Sequence, residues 1–345
     1  MPPPKDLPAL LDHLRTSTAL ITQCLTLLPN SEPLPSTSPP PNPLHVLKDA
    51  ALLLKSHTTK LSLLLLTPPF TPSAILSVLR TITASVLPAL LSAAQLCAPD
   101  VWGALLRAEV NARVAAALRG VEACLLDVRG VADQVASGKQ AKQQRDTLAS
   151  CGVVWEACDA LVELEELDVA GVALGRAKGY QALIKDALEE LKGWREESVA
   201  DEGDDDEDDE DEEDDDDIFG SGAKLPRDRP ELLLALDDAL GKIKRVELLY
   251  TALSKRRVKT FTKDKARIRD HVRTMDALVD GMKRMPEITD ELASAFYELD
   301  DEGVEEHKKA LVEEARRTIQ LVSKSWDGNE DEFTAWSTKW LEVMK

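Results

Sequence analysis

The sequence predicts an all-α protein made of two helical bundles separated by an acidic spacer, and three observations carry that prediction. Leucine-rich stripes step by three and four residues along most of the chain. Alternating apolar and polar runs bounded by Asn-Gly or Asp-Gly turns do not occur, so no sheet is expected. One run, residues 201–217, places 16 acids among 17 positions and interrupts the stripes.

The elements follow in order. Residues 29–43 (PNSEPLPSTSPPPNP) cannot sustain regular hydrogen bonding and form a Pro-rich loop inside the first unit, residues 1–198. Leu44, Leu47, Ala51, Leu54, Thr58, Leu61 and Leu65 then share one helical stripe. Thr71 followed by Pro72 reads as an N-cap with proline at the first helical position. Pro88 should kink the helix that follows, because it removes an interior hydrogen bond. Residues 199–225 are the acidic spacer, expected to be disordered because like charges repel and nothing apolar can be buried. In the third segment, 226–345, stripes recur at Leu232, Leu236, Ala239, Ile243, Val246, Tyr250 and Leu253, and at Ile268, Val272, Met275, Val279 and Met282. None is long enough for an extended coiled coil, so the helices of each bundle should cover one another.

Composition narrows the function classes. Of the 345 residues, 43% are hydrophobic, as a folded chain requires. The net charge of −20 belongs to one segment: without the run's 16 acids, 46 remain against 42 Lys and Arg. Five cysteines in odd number, without C-x-x-C spacing, suit a reducing compartment. Cys151 and Cys158 share a helix face, about 10 Å apart and beyond disulfide reach, and read as core residues. Leu61 to Pro99 contains one charge, Arg80. Its prolines and its Thr, Ser and Gln content favour a buried helix over a membrane span, and no membrane association is expected.

No catalytic or cofactor motif is found. Nucleotide-binding glycine loops, a G-x-S-x-G elbow and H-E-x-x-H are all missing, and GSGAK at 220–224 lacks the strand and helix of a phosphate cradle. His13, His45, His57, His271 and His307 are scattered singly. DGNEDEF (327–333) fails as a calcium loop, since Glu332 stands where the turning glycine belongs and Thr338 where a bidentate glutamate is needed; a helix start is the plainer reading. The expectation is a non-enzymatic protein with no cofactor and no metal.

Three features are candidates for interactions. Lys255, Arg256, Arg257, Lys259, Lys263 and Lys265 form a basic cluster suited to nuclear import or anion binding, against the plainer reading of helix-terminal cations on a solvated face. Without interleaved aromatics it does not suit sequence-specific nucleic-acid recognition. Phe333, Trp336, Trp340 and Val343 or Met344 make an aromatic stripe that seals the second bundle or docks on a partner, sealing being the simpler role. The acid run is a spacer or a surface that steers basic proteins, and Ser198 just before it lies where an acid-directed kinase would act.

Two stretches go further. HVLKDAALLLKSHTTKLSLLLL (45–66) and CGVVWEACDAL (151–161) resemble segments of the cyclin-D1-binding protein 1 family, also called Grap2 and cyclin-D-interacting protein. The resemblance implies an N-terminal bundle like those of vinculin and α-catenin, and a binding protein of nucleus and cytoplasm. It also implies a negative regulator of cell-cycle progression or transcription, with D-type cyclin or helix-loop-helix factors as partners. Read physically, His57, Thr58, Thr59 and Lys60, with Thr58 inward, suit a polar interhelical network. Trp155 reads as a buried anchor, Cys158 as part of a seam, and Glu156 and Asp159 as outward groups. The rival from another class is an acidic chaperone for histones or other basic proteins, using the polyanion.

Overall fold

The computed structural model describes residues 4–30, 41–138, 145–200, 229–262 and 265–344; the acid run lies outside them. Ten helices and no strand occur among the described residues. They divide into two compact units, Met1–Val172 and Ala173–Lys345.

The first unit packs α1 (Leu7–Leu27), α2 (Pro43–Leu66), α3 (Pro72–Leu96), a short α4 (Pro99–Trp102), α5 (Ala104–Ala136) and the start of α6 (Arg145–Ala200). Every stripe position from Leu44 to Leu61 is buried, Thr58 included, while Leu65 is half-buried. Asn42 rather than an apolar residue opens α2, its Oδ1 accepting from the Leu44 amide at 3.1 Å. Thr71 does precede α3, but its hydroxyl donates back to the Pro69 carbonyl at 3.0 Å and caps nothing.

Helix α3 deviates where Pro88 predicts it, over one π turn, Ile82–Val86. The proline ring and missing amide disrupt the preceding turn, and widening that turn is one way to absorb them. This helix is long and apolar enough to cross a membrane, with mean hydropathy 1.8 over its best window. Its outward positions are Ser73, Ser77, Arg80, Thr81 and Ser85, while Ile75, Leu79, Val86 and Leu90 are sealed inside the bundle.

Helix α6 breaks at Asp168, whose φ of 53° is left-handed, and Asp168 Oδ1 accepts from the Val169 amide at 2.8 Å. The unit boundary falls just after this break. The sequence places the boundary at residue 198, at the edge of the acid run; the packing places it earlier, because the second limb of α6 belongs to the C-terminal core. Arg195 pairs there with Asp237 at 2.5 Å, and Gln181 donates to Thr251 at 2.9 Å.

The second unit adds α7 (Pro230–Leu253), which continues into a π turn at Ser254–Val258, then α8 (Lys265–Tyr297), α9 (Asp301–Leu321) and α10 (Glu332–Val343). All positions of the two stripes read from the sequence here are buried. Proline 286 lies inside α8, where it cannot donate to the Met282 carbonyl one turn back. That carbonyl accepts instead from the hydroxyl of buried Tyr250 on α7.

Helices α8 and α9 are joined at Leu299. Asp300 N–H reaches the Ala295 carbonyl at 2.9 Å and Leu299 N–H the Phe296 carbonyl at 3.1 Å, a Schellman closure with leucine in the left-handed position, φ 57°. A leucine there carries a Cβ penalty of about 1–2 kcal/mol. Leu299→Gly is expected to stabilise the unit by about 0.5–1 kcal/mol after the loss of partial burial and chain entropy. A urea midpoint lower than the parent's would show that the leucine side chain outweighs its backbone cost.

Candidate functional site

The two family-like stretches meet in the first unit. His45 and Lys48 on α2 reach Glu165 on α6 at 2.8 and 2.6 Å, and Lys55 reaches Asp159 at 2.5 Å. Rising numbers on one helix pair with falling numbers on the other, so α2 and α6 run antiparallel. Lys48 holds the Glu165 carboxyl below the usual carboxylate range by hydrogen bonding.

Beneath these pairs lie Thr58, Val154, Cys158 and Leu161, all buried. Burial pushes the Cys158 thiol up to about 12, so it is a packing group and not a nucleophile. Thr59, Lys60, Glu156 and Asp159 are exposed. Thr59 Oγ1 donates to the Lys55 carbonyl within its own helix at 2.8 Å. The interhelical polar contacts therefore come from His45, Lys48 and Lys55 rather than from His57, Thr58 or Thr59. Trp155 corrects the sequence reading: it is half-buried, and its indole N–H is enclosed without an acceptor. His57 is also half-buried with an unpartnered Nδ1, and burial lowers its pKa.

Among the described residues of the basic cluster, Arg257 leaves the surface. Lys255 and Lys259 are exposed, Lys263 and the side chains of Lys265 and Ser198 lie outside the described residues, and Arg256 pairs with Glu332. Arg257 is 1% exposed and is withdrawn from any partner. The π turn carries it inward, where its guanidinium uses all five N–H groups. Nε donates to the Val322 carbonyl at 2.6 Å; Nη1 donates to the Arg256 carbonyl at 2.8 Å and Asp331 Oδ2 at 2.7 Å; Nη2 donates to the Ser323 carbonyl at 3.2 Å and Asp331 Oδ1 at 2.9 Å.

Phe333 lies 4.3 Å from the guanidinium carbon and Trp326 Nε1 donates to the Arg257 carbonyl at 2.8 Å. Asp331 is at the same time the N-cap of α10, in a capping box with Thr334. DGNEDEF is thus a helix start, as its sequence suggests, and its acid serves an arginine 74 positions away.

The aromatic stripe of α10 is turned into the bundle. Phe333, Trp340 and Met344 are buried, Trp336 is half-buried between the two rings, and Val343 is 61% exposed, so Met344 completes the stripe. A groove of about 1100 Å³ beside it is lined by Asp238, Lys242, Lys308 and Met344 among others. Its charges neutralise one another: Asp238 accepts from Lys242 and, at 3.1 Å, pairs with Lys308. Among the described residues no three His, Cys, Asp or Glu side chains gather as a metal site, and the histidines stay apart.

Fold and surface together define a helical-bundle protein whose distinctive residues lie on helix exteriors and in structural latches. Residues 46–197 match the family model described as Grap2 and cyclin-D-interacting, N-terminal. Over that stretch the chain is similar to the cyclin-D1-binding protein 1 family. It is also similar to an uncharacterized protein of Schizosaccharomyces pombe, 26% identical over 305 residues that span 87% of this chain and 84% of the relative. An uncharacterized protein of Saccharomyces cerevisiae is 25% identical over 219 residues, spanning 62% of this chain and 59% of that relative.

Proposed function

We propose that the chain is a non-enzymatic interaction module that restrains cell-cycle progression or transcription by binding regulatory proteins, in nucleus and cytoplasm, through the outer face of α2 and α6. The observation that supports this reading is the juxtaposition of the two family-like stretches. They lie on antiparallel neighbours, with an apolar seam inward and Lys60, Glu156 and Asp159 outward. Cyclin-like and helix-loop-helix proteins are the partners to test first. The double variant Lys60→Glu, Glu156→Lys should weaken capture of such a partner at least tenfold, about 1.4 kcal/mol, with an unchanged thermal transition. Unchanged affinity for both partner classes would overturn the assignment of this face.

A second reading rests on the 16 acids among the 17 positions of 201–217, which would attract histones or other basic proteins through salt-sensitive steering. Deleting 201–217 separates the two. Binding of regulatory proteins should persist in the deleted protein. Loss of all partner binding would favour the chaperone.

A further inference from the structure

Helices α5 and α6 approach closely at Gly120, where a Cβ would lie 3.1 Å from Val154 Cγ2 and 3.4 Å from the Val154 amide nitrogen. One turn along each helix from this contact, Cys124 and Cys151 face each other across the seam, their sulfurs 3.9 Å apart. Both are buried, at 4% and 0% exposure. Cys97 and Cys158 are buried as deeply, yet burial simply raises each of those thiols to about 12. The facing pair behaves differently: hydrogen bonding between the two sulfurs lowers the pKa of Cys124 and correspondingly raises that of Cys151.

A polar chain leads from this pair towards the surface. The Cys124 thiol donates to Ser150 Oγ at 3.4 Å, and the Ser150 hydroxyl donates to Asp127 Oδ2 at 2.5 Å, Asp127 being half-exposed.

We propose that Cys124 and Cys151 are a modification site: a dithiol that hydroperoxide converts to a disulfide stapling α5 to α6. The Cys124 proton passes through the Ser150 hydroxyl to the Asp127 carboxylate as the sulfur attacks a peroxide oxygen. The S–O bond forms and the O–O bond breaks; the departing hydroxide takes the proton and leaves as water. The Cys151 sulfur then attacks the Cys124 sulfenic sulfur. The S–S bond forms, the S–O bond breaks, and hydroxide leaves with the Cys151 proton as a second water. Two thiols are oxidised and one hydrogen peroxide is reduced to two waters. The sulfurs must close from 3.9 Å to about 2.0 Å, a shift that side-chain rotation and a small helix adjustment share.

The test uses the full-length reduced protein, exposed to hydrogen peroxide at neutral pH, then alkylated in denaturant and mapped by peptide mass spectrometry. The expected product is a peptide pair linked through Cys124 and Cys151 and released by dithiothreitol, with Cys97 and Cys158 recovered alkylated. Cys124→Ser and Cys151→Ser should each abolish the link. The wild-type map decides the matter without them if either variant does not fold. Cys124 and Cys151 recovered fully alkylated, or oxidised to sulfinic acid without a link, would overturn the proposal.

Discussion

Replacing Arg257 by methionine is expected to lower the stability of the C-terminal unit by about 3–5 kcal/mol, the range for removing one partner of a buried ion pair. At roughly 2–4 °C per kcal/mol for a unit of this size, the transition should fall by about 10 °C. Methionine keeps the apolar stem against Phe333, so the loss reports the polar partners: the Val322 and Ser323 carbonyls and the Asp331 carboxylate. Arg257→Lys should recover only part of it, because one ammonium cannot reproduce five planar donors.

The pair also carries an acid signature. Hydrogen bonds from Arg257 hold the Asp331 carboxyl well below the usual carboxylate range. A depressed folded-state pKa contributes stability that is complete above the unfolded value, about 3.9, and is lost as pH falls below it towards the folded one. The parent should therefore lose more stability between about pH 5 and about pH 2 than Arg257→Met does. Equal slopes in urea titrations followed by tryptophan fluorescence would remove the pair from that role.

The second large effect concerns Tyr250. Tyr250→Phe strips the hydroxyl donor from a carbonyl that Pro286 leaves without its helical partner, and should cost about 1–3 kcal/mol. Pro286→Ala supplies an amide at that point. In that background Tyr250→Phe should cost markedly less, giving a coupling of about 1 kcal/mol in a double-mutant cycle. Additive costs would mean that the proline and the tyrosine do not share the Met282 carbonyl.

The stripes were legible because burial imposes a period on any amphipathic helix: all of Leu232 to Leu253 and Ile268 to Met282 read correctly. The fate of Arg257 was within reach of the same rule. A step of four from Leu253 lands on it, so continuing the stripe selects one inward arginine from a run of basic residues. Its partner was not legible, since Asp331 advertises only a helix start and pairing across 74 positions is decided by packing. The tyrosine's carbonyl was likewise hidden, although Pro286 alone announces that some acceptor in α8 needs a new donor. Nothing in the sequence pairs Cys124 with Cys151; the glycine-permitted approach of α5 and α6 sets them face to face. Trp155 was misjudged because a large ring at the edge of a seam can cover it without being enclosed.

The π turn in α3 has a bearing on how this chain tolerates changes in length. It holds one more residue than an α turn, with exposed Ala84 at its centre. Excising a residue there keeps the azimuth of the leucines beyond, at the cost of the widening that absorbs Pro88. The same excision elsewhere in the helix swings every later side chain by about 100° and turns the apolar seam towards water. A one-residue deletion in α3 is thus tolerated best at the widest turn of the helix.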